Sequence, residues 1–352
     1  MHFRPATDAD ESGWQAFLEA TRWGDFLHDW AWGDVAAFDR QPQRRYILEE
    51  DGGIVAIVAA QERPVFGGRA FWYVPHGPVL DLAAPEAAER VRAVVIGLRE
   101  VAAQHRVIAV KLEPRLAVDD SATALFDGPG LRRLPDTLQV GQTRVVELAD
   151  DETLLARFDK DTRYSVRRAE REGVVVETRD DPEDLGAIDA LHELVGETQQ
   201  RAGFPMPSLD RYRTAWRSLA SAGRAVILEA RHGEEVLASG MVVIEGDRSF
   251  YLFSGSRREE RGEPKRYASY ALQWSMMRLA RDRGVRVHDL WGIAPPGAGP
   301  EHAWHGVGLF KKGFGGEEVV WAGSWDLVVD PTLYRVRAAT GIMRGWLRAM
   351  RR

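Results

Sequence analysis

The sequence predicts an α+β chain built from two similar domains, and three observations carry that prediction. At 352 residues the chain exceeds the size at which one hydrophobic core usually keeps growing, so two domains are expected. Slid against itself by 180 residues, it matches at several anchors: Ile47-Leu48-Glu49 falls on Ile227-Leu228-Glu229, Gly53 on Gly233, and Arg106-Val107 on Arg286-Val287. Around these anchors both halves run through three strands, a helix and a returning strand, the order of an α+β layer.

In the first half, β-branched and aromatic residues predict strands over 46–48, 54–61 and 71–73, parted by turns at Asp51-Gly52-Gly53 and Gly67-Gly68. A helical apolar period follows over 85–104, then a strand over 107–112. The second half repeats this with strands over 225–229, 236–244 and 250–253, turns at His232-Gly233 and Gly246-Asp247, a helix over 267–283 and a strand over 287–290. Between the copies, 150–203 is rich in charge and reads mostly as helices. Behind Asp161-Thr162, helical spacing puts Arg163, Arg167 and Arg171 on one side; such a run is usually a solvated face and less often a seat for an anion. Residues 333–352 carry Arg335, Arg337, Arg344, Arg348, Arg351 and Arg352 without an acid, while Ile342, Met343, Trp346, Leu347 and Met350 gather on the other side. This predicts a basic amphipathic terminal helix packed on the chain, its arginines open to an anionic membrane surface or RNA. The expected domains are 1–150 and 151–332, with that helix at 333–352.

Composition removes several classes of chemistry. The chain has no cysteine, which excludes disulfides, cysteine-ligated metals and a thiol nucleophile. Its first residues lack the apolar core of a signal peptide and no apolar run suffices to span a membrane, so a cytoplasmic protein, at most peripheral at the inner face of the membrane, is expected. A net charge of −6 argues against a chain coated with nucleic acid but leaves room for a local basic face. Neither a Walker A sequence, a Gly-x-Gly-x-x-Gly, a His-Glu-x-x-His nor a Gly-x-Ser-x-Gly occurs. No cofactor or metal is expected, and group transfer or pure binding remains. Group transfer between a bound electrophile and a bound amine needs little beyond positioning and a cation at the developing oxyanion.

One motif suits that need. Phe310-Lys311-Lys312-Gly313-Phe314-Gly315-Gly316 holds two of only five lysines, in a stretch that reads as too glycine-rich for an ordinary helix or strand. A lysine ammonium is a compact charge for a phosphate or a polarised carbonyl, and glycines let backbone N–H groups approach the same anion. A glycine-rich turn with a solvated basic tip is an equal reading.

Other segments add candidates. His28-Asp29-Trp30-Ala31-Trp32-Gly33 brings two tryptophans together, more often core than ligand platform. Asp81, at the end of the sharp turn that follows Tyr73, is a proton acceptor or, at least equally, the N-cap of the helix near Pro85. Arg201 lies where a helix ends at Gly203, near the junction of the copies. Tyr251 and Tyr267 are candidate contacts by position, and 294–306, with its prolines and glycines, is a candidate lid.

In order along the chain, Phe26 to Gly33, Tyr73 to Asp81, Thr162-Arg163-Tyr164 with Arg168-Ala169, Arg201 to Phe204, Leu272-Gln273-Trp274, Asp289 to Ile293, Phe310 to Gly316, and Asp326-Leu327-Val328 with Pro331 and Tyr334 resemble the FemABX family of peptidoglycan-bridge aminoacyltransferases. The resemblance implies two tandem N-acetyltransferase-like (GNAT-like) domains. It also implies transfer of glycine, alanine or serine from aminoacyl-tRNA to the stem-peptide amine of a peptidoglycan precursor, either lipid II or UDP-MurNAc-pentapeptide. Lys311 would then stabilise the oxyanion, Phe310 fix the tRNA terminus, Asp81 accept a proton, and Trp32, Arg201, Tyr251, Tyr267 and Lys312 contact substrate. Two departures stand out: Ala36 occupies the place of a phosphate-holding lysine, and between Gly246 and Lys265 there is no room for the helical arm of longer members. The acyl-CoA pyrophosphate loop of other acyltransferases of this fold fails after Gly284. A GNAT-fold transferase using another acyl donor and a non-catalytic precursor- or tRNA-binding module are the alternatives.

Overall fold

The structure is a computed structural model that describes residues 1–128, 130–203, 206–257, 265–295 and 297–337. It divides into two units, one formed by Met1–Trp30, Arg40–Gln139 and Ala322–Arg352, the other by Ala31–Asp39 and Val140–Trp321. Among the described residues no helix is long and apolar enough to cross a membrane.

The first unit is built on strands β1 (His2–Pro5), β2 (Gln43–Glu50), β3 (Gly53–Pro64), β4 (Ala70–Val74), β5 (Val79–Leu80), β6 (Val107–Leu112), β7 (Leu131–Leu134) and β15 (Ser324–Val328). They order as β1-β2-β3-β4-β6-β15-β7, with β5 on β3. Helices α1 (Glu11–Ala20) and α3 (Ala87–Gln104) pack on this sheet. The apolar stripe of α3, Val91, Val94, Val95, Leu98 and Ala102, joins Trp72, Val110, Leu112 and Trp325 in the core. Burying each such large side chain contributes about 1.5–3 kcal/mol.

The second unit uses β8 (Gln142–Glu147), β9 (Val175–Arg179), β10 (Ala225–His232), β11 (Glu235–Glu245), β12 (Arg248–Ser256), β13 (Val287–Gly292) and β14 (Glu317–Val320), ordered β14-β8-β13-β12-β11-β10-β9. Its helices are α2 (Trp32–Phe38), α4 (Asp151–Arg157), α5 (Lys160–Arg171), α6 (Leu185–Ala202), α7 (Leu209–Ser221), α8 (Ala268–Asp282) and α9 (His305–Gly313). Asp150, Asp159 and Ser208 cap α4, α5 and α7 by accepting from backbone N–H groups of their first turns.

Laid side by side, the sheets share one topology. β2–β3 and β3–β4 are antiparallel and β4–β6 parallel, as are β10–β11, β11–β12 and β12–β13 in turn. The matched segments thus take equivalent places, and the returning strands begin at Val107 and Val287, 180 residues apart. The strands completing each sheet come from unexpected places. β15, from the end of the chain, inserts between β6 and β7, while β8, from the middle, inserts between β13 and β14. This exchange is why the expected boundaries at 150 and 332 do not match the observed division: β8 must count with the second unit and 322–332 with the first. β9, where a helical stretch was expected, is an edge strand with Val175 exposed, too polar to register as a strand in sequence. The helix expected over 333–352 is helical through residue 337 and otherwise lies outside the described residues.

Candidate active site

Parallel pairing of β12 with β13 runs only from Arg248↔Val287 to Phe250↔Asp289. Beyond it β12 continues along β11 to Ser256, and β13 bulges and rejoins β8 at Gly292↔Thr143. Two neighbouring strands therefore part, and a cavity of ≈ 470 Å³ opens where they do, lined by Tyr251 to Ser256, by Trp291 and Gly292, and by Trp304, Phe310 and Lys311. Trp291 sits at φ +61, an uncommon conformation for a residue with a side chain and a sign of a demanding local constraint. Its N–H donates to Asp289 Oδ1 at 2.8 Å.

Helix α9 brings Lys311 into this opening. The side chain is 6% exposed, its Nζ donates to the Gly292 carbonyl at 2.7 Å and lies 5.8 Å from the centre of the Tyr251 ring. Burial pushes its pKa down to about 7, opposed by the nearby Asp289 carboxylate. Asp289, also buried, accepts from the Thr143 hydroxyl. Burial also pushes Tyr251 up to about 12, so at neutral pH it keeps its proton. Phe310, one residue before the lysine, packs edge-on against Tyr270 at 5.2 Å and Phe314 at 5.2 Å and presents to the cavity. The arrangement offers a cation of adjustable charge, aromatic walls and a backbone carbonyl, which suits an acyl group whose carbonyl oxygen becomes negative.

The motif's glycines do other work than expected. Residues 305–313 are helical, and a Cβ on Gly313 would stand 2.1 Å from Thr162 Oγ1, so glycine lets α9 meet the first turn of α5. Gly315 and Gly316 have φ of +74 and +72 and turn the chain into β14; a Cβ on Gly316 would meet the Val145 carbonyl at 2.3 Å. Their carbonyls accept from Arg144 Nη1 at 3.1 and 2.9 Å. These glycines give close backbone packing instead of an anion-binding nest. Gly313→Ala is accordingly expected to destabilise the protein by about 1–3 kcal/mol and to lower activity by tilting α9, read from urea unfolding beside a turnover assay; unchanged stability would show that α5 yields freely.

The FemAB family model matches residues 120–227 and 220–340. The chain belongs to the FemAB family. It is 23% identical to lipid II:glycine glycyltransferase of Staphylococcus aureus (strain MRSA252), over 91% of this chain and 92% of that protein. It is 22% identical to UDP-N-acetylmuramoylpentapeptide-lysine N(6)-alanyltransferase of Weissella viridescens, over 91% and 94%. The crystal structure of FemX superposes with a TM-score of 0.85 at 20% identity, covering 96% of this chain and 99% of that one. A tandem GNAT protein from the clavulanic acid biosynthesis pathway superposes at 0.52 with 13% identity, over 94% and 99%. Two tandem GNAT-like domains are therefore the fold of this FemAB chain.

Of the residues expected at the site, Lys311, Phe310 and Tyr251 line the cavity together. Lys312 is exposed, because consecutive helical residues point apart. Trp32, 5% exposed, lies on α2, which packs on α7, with the Arg211 guanidinium 5.9 Å from its ring. Tyr267 stands before α8 at φ +56, edge-on to Tyr164 and Tyr270 and half-buried. Neither Trp32 nor Tyr267 lines the cavity. Asp81 belongs to the first unit, exposed, and accepts from the Ala83 N–H at 2.9 Å. Helix α3 begins at Ala87 after Glu86, so Asp81 closes a local turn and is not the helix cap. The Arg201 side chain lies outside the described residues. Sequence reasoning gave no site role to Asp289, whose charge acts on the lysine, or to the walls Trp291 and Trp304, although Asp289 to Ile293 stood among the resembling segments and Trp304 within the expected lid over 294–306.

Two resemblance segments meet instead inside the first unit. Asp25 bonds His76, with Arg115 at 4.0 Å, all buried. Burial alone would raise the Asp25 carboxyl, but His76 and Arg115 overcome it and hold it below its ordinary value. Gly77 lies so close to His28 that a Cβ would fall 2.5 Å from Nε2, and burial pushes His28 down to about 4. His28 from one segment and His76-Gly77 from the other therefore join Asp25 and Arg115 in a buried polar centre of that unit.

Proposed function

We propose that this chain is an aminoacyltransferase of peptidoglycan cross-bridge synthesis, moving an amino acid from aminoacyl-tRNA to the stem-peptide amine of lipid II or UDP-MurNAc-pentapeptide. The single observation that carries the reading is Lys311, buried at the mouth of two parting strands and poised near pH 7, in a chain whose relatives are named for glycyl and alanyl transfer. The acceptor amine attacks the carbonyl carbon of the aminoacyl ester. Lys311, as ammonium, donates to the oxygen as it becomes negative. The C–N bond forms, the ester C–O bond breaks, and the proton lost by the amine ends on the departing ribose oxygen. An ester is already activated, so orientation and oxyanion stabilisation are sufficient and no covalent enzyme intermediate is needed. Phe310 packs against the donor's terminal nucleoside, and Tyr251 forms the wall under the lysine.

The test is incubation of the chain with a panel of aminoacyl-tRNAs and each precursor, reading amide product by mass. Product with one pair supports the reading, and its identity names the amino acid and the acceptor; binding of precursor or RNA without product from any pair would favour a non-catalytic module. In the same assay Phe310→Ala should raise KM for the charged tRNA about tenfold or more, the scale of one lost base stack, while Lys312→Ala should change little because that side chain faces solvent. Equal effects of the two substitutions would remove Phe310 from the donor site.

A further inference from the structure

The cavity accounts for the amino-acid end of a donor and leaves another feature of the same unit unused. On α5, Lys160, Arg163, Tyr164, Arg167 and Arg171 recur at spacings of three and four, share one face, and line a shallow groove with Glu170. Their charges differ in what they already do. Arg163 Nη1 donates to the carbonyls of Leu155, Ala156 and Phe158 at 3.0, 3.4 and 3.3 Å, closing the end of α4. Arg168, on the flank, is paired with Glu172. Lys160, Arg167 and Arg171 are exposed and make no ion pair among the described residues. Tyr164 stands among them 51% exposed, an aromatic face beside three solvent-exposed cations.

This stripe adjoins the site. The Asp159 N–H, at the start of α5, donates to the Gly313 carbonyl at 2.9 Å, so the stripe begins where the lysine-bearing helix ends. A run of rings leads the same way: Tyr164 to Tyr267 at 6.1 Å, Tyr267 to Tyr270 at 6.3 Å, and Tyr270 to Phe310 at 5.2 Å. Cations spread over about 16 Å of helix match a line of phosphates better than one compact anion. A lipid surface would also call for an apolar face, and α5 turns Val166 and Ala169 inward.

We propose that this face of α5 docks the RNA of the donor, with its phosphates on Lys160, Arg167 and Arg171 and an unpaired base against Tyr164. Its single-stranded 3′ end follows the rings to Phe310 and the cavity. The proposal rests on the aminoacyl-tRNA reading given above, and its test separates the two.

The variant Lys160→Ala/Arg167→Ala/Arg171→Ala removes exposed groups only, and its unfolding midpoint checks that the fold is kept. Binding of an uncharged tRNA transcript, followed by fluorescence anisotropy across a salt series, should weaken tenfold or more. The slope of log K against log salt should fall by about 2–3, at about 0.9 for each phosphate no longer neutralised. In the transfer assay, the preference for charged full-length tRNA over an aminoacylated 3′ trinucleotide should fall by the same factor. Unchanged affinity and slope, or no RNA binding by the unaltered chain, would overturn the proposal. So would a variant that loses binding to phosphatidylglycerol vesicles yet keeps its RNA affinity, which would assign the stripe to a lipid surface. Stripe-dependent RNA binding without aminoacyl transfer would keep the docking face and sink the donor reading; transfer with undiminished preference for full-length tRNA in the variant would do the reverse.

Discussion

Lys311→Met is expected to lower turnover by about 10²- to 10³-fold, the scale for removing one donor to a developing oxyanion, with the fold intact. Methionine matches the length of the buried stem, so the loss reports charge and not a void. A second readout follows from the pKa. Lys311 titrates at about 7 when folded, against 10.5 in the unfolded chain. Between these values the unfolded state holds a proton that the native state has released, so stability rises with pH across that window. Below about 7 both states are charged and the penalty of burying the ammonium is present in full. The Met variant should lose this slope and be at least as stable as the natural protein near pH 6. Because the oxyanion role needs the ammonium, kcat/KM should fall as pH rises through about 7, and the variant should lack that limb. An acid limb at the same pKa would make Lys311 a base instead, and unchanged turnover would remove it from the chemistry.

Why Lys311 was visible in sequence, and its setting was not, has a physical explanation. A rare residue type between aromatics is a local signal, and so are Phe310 beside it and Tyr251 in a strand. The setting depends on where pairing stops: β12 and β13 part after Phe250↔Asp289, and no local pattern records a ladder that ends early. Glycine misled for a related reason. Its low helix propensity argued against a helix over 310–316, whereas the contact of Gly313 with Thr162 requires glycine inside a helix that packing holds in place. The repeated strands were legible because each half carries its own alternating pattern, and the common offset fixed their order. The exchange of β8 and β15 was not, since either strand's pattern would serve either sheet. Partner choice is settled by contacts such as Lys111 with Asp326, which lie 215 residues apart and form an ion pair at 2.8 Å.

That exchange yields the largest expected effect on folding. A fragment ending at residue 150 would carry β8, whose partners β13 and β14 belong to the second unit, and would lack β15, which sits between β6 and β7. Its sheet would be open at β6, an edge of unpaired backbone beside a core that has lost Trp325, a fully buried side chain packed 5.4 Å from Phe126. Lys111 would also lose its carboxylate. Breaking a buried pair by removing one partner costs about 3–5 kcal/mol, a large share of the roughly 5–15 kcal/mol that holds a domain together. Fragment 1–150 should therefore show no cooperative urea transition. Joining residues 1–139 through a flexible linker to 322–352 should restore one, because it returns β15 to its slot and omits the misplaced β8. In the full chain, Asp326→Ala should remove the ion pair together with the hydrogen bond that Asp326 accepts from the Tyr334 hydroxyl at 2.6 Å, a loss of about 3–5 kcal/mol, with the Lys111→Met/Asp326→Leu double variant recovering the ion-pair share. A cooperative, native-like transition in fragment 1–150 would show that β15 is dispensable and that the first sheet closes without a strand from the end of the chain.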